Sequence, residues 1–211
     1  AAAAAVAFDR LYGLKIRKEE LVTYAAEGEI ASAGVKHYDN VSASVLGGFV
    51  ISSLRQGQTP RFVRLAPPSD LVLVVAVPSV PVPERKTEMA RNALPEEVPL
   101  KSAVHNVSGA STIVAGFALK EVDLIAQGID DAIVEPARKH LIQGFEEVKQ
   151  TAIAAGALAV TISGAGPSII AFLKTTRNSK KVAKAMAEGF GQAGVKCRTF
   201  PCRPSAGAHV V

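Results

Sequence analysis

This 211-residue sequence predicts an α+β fold on three observations. The first is the order of periodic segments beyond residue 70: an apolar strand-like run, several helical segments, two short strands joined by a glycine loop, a helix and a last strand. That order is a β-α-β-β-α-β sandwich of ferredoxin type. The second is the earlier pattern, three helical stretches followed by two alternating strands. The third is composition. Hydrophobic residues are 48% and charged residues 20%, an ordinary globular balance that argues against disorder over most of the chain.

The elements follow in order. AAAAAVAFDR through Tyr12 reads as helix because alanine has the best helix propensity, and Gly13 stops it. RKEELVTYAAEGEIASAG, residues 17–34, is a second helix ending at Gly34. In VKHYDNVSASVLGGFVIS, Asp39 or Asn40 is expected to cap a short helix that runs to Leu46. Gly47 and Gly48 break it, and FVIS is a strand. RFVRLA alternates as a strand does. The turn-rich APPSD, residues 66–70, is the linker, which divides the chain into domains at 1–68 and 69–211. LVLVVAVP, residues 71–78, is a continuous apolar run, expected to be a strand buried on both faces. PERKTEMARNALP is a short helix between prolines, and residues 99–128 hold one or two helices rich in small residues. A helix is expected from about Lys139 to Ala155. ALAVTIS and SIIAFLK are strands around GAGP, and a helix from Ser179 to Gln192 precedes the strand VKCRTFP.

Net charge is +5, with lysines and arginines dispersed rather than in runs and no aromatics among them, which argues against a nucleic-acid surface. Cys197 and Cys202 stand at an odd offset in a strand, so their side chains leave on opposite faces. That speaks against a disulfide or a shared metal and for a reducing compartment. No apolar run reaches membrane-spanning length, and no signal or transit peptide is visible.

Three stretches carry candidate chemistry. On a helical wheel at 100° per residue, Val22, Ala25, Ala26, Ile30 and Ala33 share one face, Glu29 falls in its middle and Glu27 points away. A carboxylate on an apolar face is paired, protonated or bound to a cation. His37, Asp39 and Asn40 follow closely, and oxygen donors of this kind suit magnesium and a polar substrate. A buried ion pair explains Glu29 equally well. In TISGAGPS, residues 161–168, a strand runs into Gly164 and Gly166, where backbone N–H groups can cradle an anion or simply close a hairpin. The spacing fits neither the dinucleotide fingerprint nor the P-loop. In TEMAR and VEPAR, Thr87 and Arg91 share a helix face and Arg138 sits at a helix entry. Two arginines from separate segments can clamp one carboxylate, or each can be a solvated surface residue. His105 and Asn106 read as structural polar contacts, and His140 as exposed.

Together these stretches resemble the homoserine kinases of the GHMP small-molecule kinase superfamily. KHYDNVSASVLGGF is similar to the family's H-A-D-N-[VI]-A-P-x-[LI]-x-G-G-F, TEMARNALP to T-x-x-x-R-x-x-L-P, and IVEPARKHLIQGF to E-P-x-R-x-x-L-I-P-G. TISGAGPS is the superfamily's third motif unaltered. The resemblance implies a GHMP N-terminal, ATP-binding domain of ribosomal S5 domain 2-like fold, present in part over 1–68, and the ferredoxin-like C-terminal domain over 69–211. It implies transfer of the ATP γ-phosphoryl group to the hydroxyl of L-homoserine, giving O-phosphohomoserine for threonine biosynthesis. Glu29 would hold Mg²⁺; His37 and Asp39 would line the substrate site, with Asp39 the candidate base. Thr87 would approach the substrate, Arg91 with Arg138 would bind its carboxylate, and Gly164, Gly166 and Ser168 would lie near the phosphates. By the same resemblance the chain begins inside the helix that follows the family's phosphate loop, so impaired ATP binding and turnover are expected of it. Tyr38 stands where the family has alanine, and Ser42-Ala43 where it has Ala-Pro, so a narrowed pocket is expected. Another GHMP kinase of mevalonate or sugar type, or a non-catalytic fragment that binds an amino acid or a partner, remains open, as does a homodimer. Bacterial and archaeal members would be cytoplasmic and plant members plastid.

Overall fold

The computed structural model describes residues 1–56, 58–81 and 86–210, with residues 32, 33, 86 and 87 described by backbone alone. It resolves into two compact units, Ala1–Pro67 with Pro204–Val211, and Pro68–Arg203. The break falls in the proline-rich linker. The last residues group with the first unit, unlike the expected division in which 69–211 stay together. The cause is backbone pairing: Gly48 N–H donates to Ser205 O at 2.8 Å and Ala208 N–H to Ser44 O at 2.8 Å.

In the first unit, α1 (Ala2–Tyr12) and α2 (Lys18–Ala33) both end on a left-handed glycine, Gly13 and Gly34, as expected. α3 (Tyr38–Leu46) leads into the antiparallel pair β1 (Phe49–Ser53) and β2 (Arg61–Leu65). Leu21, Val22 and Ala25 of α2 meet Val41, Val45 and Leu46 of α3 in a small core, and the small side chains Ala2 and Ala5 of α1 pack against it. The helix cap differs from expectation. His37 occupies the N-cap position without a side-chain bond, and Asp39 and Asn40 lie within the first turn.

The second unit holds one four-stranded antiparallel sheet in the order β4 (Ala159–Ile162), β5 (Ile169–Leu173), β3 (Val72–Pro78), β6 (Cys197–Cys202). This is the ferredoxin-type order the segment sequence implied. Between β3 and β4 come α4 (Lys86–Asn92), α5 (Leu100–Leu119), α6 (Val122–Gly128), α7 (Val134–Arg138) and α8 (Phe145–Ala154). α9 (Ser179–Gln192) joins β5 to β6. α8 and α9 cover one sheet face, with Phe145, Val148, Met186 and Phe190 packed on Val72, Val74, Ile169 and Leu173.

Two expectations are corrected here. β3 is not buried on both faces: burial alternates along it, with Leu73, Val75 and Val77 only half-buried, because this core occupies one face of the sheet. An apolar run by itself does not count covering layers. The helix expected from Lys139 to Ala155 is interrupted as well. A 3₁₀ turn at Lys139–Leu141 gives way to extended backbone at Ile142, and α8 starts only after Gly144.

The small residues of α5 and α6 have a packing reason. A Cβ at Gly128 would lie 2.6 Å from Gly109 O, so the two backbones touch. α8 and α9 are joined by Thr151, whose hydroxyl reaches Ala185 O of α9 at 2.9 Å. Thr151→Val keeps the shape and removes the donor, and is expected to cost about 0.5–1.5 kcal/mol in a denaturant melt. Among the described residues no helix is long and apolar enough to cross a membrane.

Candidate active site

In the first unit the HYDN segment places His37 and Asp39 at the start of α3. His37 is half-buried, and its Nε2 atom is fully buried without a hydrogen-bond partner among the described residues. Such an atom costs free energy unless a further group satisfies it. Asp39 is exposed. Tyr38 turns inward: its ring centroid is 6.1 Å from that of Phe62, against the small core. Ser42, at the family's alanine position, is wholly buried, and its hydroxyl pairs with Ser52 at 2.9 Å, tying α3 to β1.

Glu29 is half-buried on α2. The wheel holds for Val22, Ala25 and Ala26, all buried, but fails for Ile30, which is 43% exposed. The apolar face thins towards the helix C-terminus because its partners on α3 pack against Leu21, Val22 and Ala25. Glu27 is exposed, as expected, and pairs with Lys36. Among the described residues no three His, Cys, Asp or Glu side chains cluster as a metal cage. A single half-buried carboxylate does fit magnesium that arrives on a nucleotide, since Mg²⁺ keeps waters and phosphate oxygens and takes only one or two protein carboxylates.

In the second unit the two arginine segments come together. Arg138 Nε donates to Ala90 O at 2.7 Å, so the last residue of α7 is fixed on α4 one residue before Arg91. Nε is thereby used, and among the described residues the terminal nitrogens of Arg138 meet no acceptor. That leaves the end-on Nη pair, the geometry for a bidentate carboxylate. Arg91 is exposed in the last turn of α4. The Thr87 side chain lies outside the described residues.

Beside Ala90 opens a mostly apolar cleft of about 230 Å³, lined by Pro78, Val80 and Pro81 after β3, Met89 of α4, Leu141 to Gln143, and Ala165 and Pro167. The last two belong to the third-motif loop, which closes the β4–β5 hairpin with Ser163 N–H on Ser168 O at 2.8 Å. Gly164 has φ 60° and no neighbour within 4 Å, so glycine serves the backbone conformation there. A Cβ at Gly166 would meet Ile142 at 2.9 Å, so that glycine also serves packing. The loop is a hairpin in which Gly164 is exposed and Gly166 is buried, with its N–H on Ser163 O at 3.1 Å.

Asp131 was not among the expected site residues. Its carboxylate accepts from Asn106 Nδ2 at 2.8 Å, from the backbone N–H groups of Ile133 and Val134 at 2.8 Å each, and from that of Glu135 at 3.1 Å. Burial pushes its carboxyl up, but the Asn106 and backbone donors outweigh this and hold it below its ordinary value of 3.8. A lowered folded-state pKa adds stability that is present above the unfolded value and lost as pH falls through the folded one. The wild type should therefore exceed Asp131→Asn in melting temperature near neutral pH, with the gap closing below about pH 3.8. The signal in the sequence was an Asp just ahead of Glu-Pro, an N-terminal capping pattern. His105 and Asn106 are structural as expected, with His105 on Asp130 O at 3.0 Å and Asn106 Oδ1 accepting from Ala132 N–H at 2.9 Å. His140 is exposed. Both cysteines are free, and burial pushes each thiol up, so neither is an activated nucleophile.

A ferredoxin-type unit carrying SGAGPS on its hairpin, preceded by a helical unit that carries HYDN, defines a small-molecule kinase of the GHMP class. Family models agree: the GHMP kinases N terminal domain matches residues 1–48 and GHMP kinases C terminal matches residues 113–192. A homoserine kinase of Haloarcula marismortui is 39% identical over 210 residues, covering 100% of this chain and 68% of the relative. The crystal structure of homoserine kinase from Cytophaga hutchinsonii superposes with a TM-score of 0.85 at 35% identity, over 94% of this chain and 63% of that one. Mevalonate kinase of L. major, in complex with R-mevalonate, has a TM-score of 0.64 at 19% identity, over 98% of this chain and 66% of that one, and so shares the fold alone. The chain belongs to the homoserine kinase family and spans about two thirds of the length of the relatives it matches.

Proposed function

We propose that this chain acts in transfer of the ATP γ-phosphoryl group to the side-chain hydroxyl of L-homoserine, with O-phosphohomoserine as product. The observation that carries the reading is Arg138, anchored through Nε on the backbone next to Arg91, its terminal nitrogens meeting no acceptor among the described residues. A phosphate acceptor that is an amino acid presents a carboxylate, and a pair of guanidinium groups on adjoining elements is the receptor for it.

Phosphoryl transfer asks mainly for positioning and for charge stabilisation. In this reading Arg91 and Arg138 hold the acceptor's carboxylate and so fix the direction of its hydroxyl. His37, with its buried unpartnered Nε2, offers the acceptor a polar contact. Asp39 is the group to take the hydroxyl proton. Gly164 offers its exposed backbone and Ser168 its hydroxyl to phosphate oxygens, while Gly166, whose N–H donates to Ser163 O at 3.1 Å, shapes the turn that holds them there. Glu29 would hold Mg²⁺, which supplies neutralisation of phosphate charge when bound with ATP.

Titration calorimetry of the 211-residue chain tests the acceptor. L-homoserine should bind, and 2-amino-1,4-butanediol, which has a hydroxyl where homoserine has the carboxylate, should bind about 10-fold or more weaker. Equal binding of the two would contradict the clamp.

A further inference from the structure

We infer that Asp131 is a positioning residue for Arg138, acting by building the five-residue helix that carries the arginine; the inference rests on the proposed role of Arg138 as carboxylate receptor. An isolated helix of this length does not form by itself, because nucleation costs more than one turn returns. Its N-terminal donors must be satisfied from outside. In α7 the accounting is complete. Asp131 Oδ1 takes the N–H groups of Ile133 and Val134, and Oδ2 takes that of Glu135. Pro136 has no N–H to satisfy and brings the φ angle a first turn needs. Ala137 N–H is the first to bond within the chain turn, to Ile133 O at 3.4 Å. One carboxylate and one proline therefore account for the whole start of the helix.

The carboxylate is itself fixed. Asn106, on the twenty-residue α5, donates to Asp131 Oδ1 and accepts from Ala132 N–H. His105, one residue earlier, meets Asp130 O. The far end of α7 is pinned by Arg138 Nε on Ala90 O. A continuous path of hydrogen bonds thus runs from α5 through Asp131 and α7 to Arg138 and α4. Glu135 adds an ion pair to Lys149 of α8, which sets the rotation of α7 about its axis. Loss of Asp131 would leave three N–H groups without acceptors and let the arginine drift from the place where its terminal nitrogens meet a carboxylate.

The test is calorimetric binding of L-homoserine and of 2-amino-1,4-butanediol to the 211-residue chain and its Asp131→Ala, Asp131→Asn, Asn106→Ala and Arg138→Ala variants, with circular dichroism as a check of folding. Asp131→Ala should weaken homoserine about 10-fold while leaving the diol unchanged, so that discrimination between the two collapses. A general loss of structure would weaken both ligands alike. Asp131→Asn keeps one carbonyl oxygen for Ile133 and Val134 and should recover most of the discrimination. Asn106→Ala should fall between wild type and Asp131→Ala. Wild-type discrimination in folded Asp131→Ala would overturn the inference, as would wild-type discrimination in Asn106→Ala, the deciding variant should Asp131→Ala fail to fold, or a diol affinity that falls in parallel with that of homoserine. Arg138→Ala separates the two levels: if it leaves homoserine binding intact, the receptor reading itself fails, whereas an effect of Arg138→Ala with none of Asp131→Ala removes only the positioning role.

Discussion

Arg138→Ala is expected to weaken L-homoserine binding by about 10- to 100-fold, because hydrogen bonds to a charged group are worth roughly 1.5–3 kcal/mol. The size follows from geometry. Nε is committed to Ala90 O, so the ligand-facing part of the side chain is the Nη pair, and a carboxylate can take both bonds at once. Arg138→Lys should recover little, since a lysine has neither the planar fork nor a second nitrogen, set back as Nε is, to keep the Ala90 contact while its ammonium meets the ligand. Arg91→Ala should act in the same direction by a smaller factor, as Arg91 is exposed and its charge is screened by solvent. Calorimetry at constant ionic strength reads all three. An unchanged homoserine affinity in folded Arg138→Ala would contradict the assignment.

The largest effect on stability is expected at Gly47. This residue closes α3, which carries His37 and Asp39, and it has φ 70° and ψ 174°, a region that only glycine occupies readily. A Cβ there would lie 2.2 Å from Ala206 C and from Gly207 N, both backbone atoms that cannot rotate aside. Gly47→Ala must therefore displace residues 205–208 and break the Gly48–Ser205 and Ala208–Ser44 bonds. Strain and lost pairing together should cost about 3 kcal/mol or more. Gly191→Ala is the matched control. It lies in α9 with nothing within 4 Å and an ordinary φ, so alanine there should stabilise by about 0.5–1 kcal/mol. Chemical denaturation reads both, and hydrogen exchange should localise the Gly47→Ala loss to 38–53 and 204–209. Equal effects of the two substitutions would contradict the strap-like contact of the C-terminal segment on α3.

What could be read from residues alone follows the range of the forces involved. α1, α2 and α9 were legible because alanine content, apolar spacing and terminal glycines are local signals. The order of strands and helices after residue 70 was enough to imply the sheet. The one-sided burial of β3 was not legible, since Val72 to Val77 look alike whether one layer or two covers them. The interruption between α7 and α8 was hidden by helix-forming residues on both sides of Ile142 and Gly144. The tail at 204–211 carries no local mark of its partner, because its pairing with Ser44 and Gly48 spans most of the sequence. For the site, motif residues such as Arg138 and Gly164 stood out by type and spacing. Asp131 did not, because its role is fixed only when Asn106, 25 residues earlier, closes on it. The contact of Tyr38 with Phe62 on β2 was hidden for a related reason, since the two residues lie far apart in sequence.

The most direct measurement is phosphorus-31 NMR of a mixture of ATP, Mg²⁺, L-homoserine, mevalonate and galactose, incubated with the chain alone and with the chain joined to the part of a curated homoserine kinase that it does not span. One new phosphomonoester, O-phosphohomoserine, is expected, formed fastest by the joined protein and lost in its Arg138→Ala variant. Phosphate on mevalonate or galactose instead, or homoserine left unconsumed by the joined protein, would contradict it.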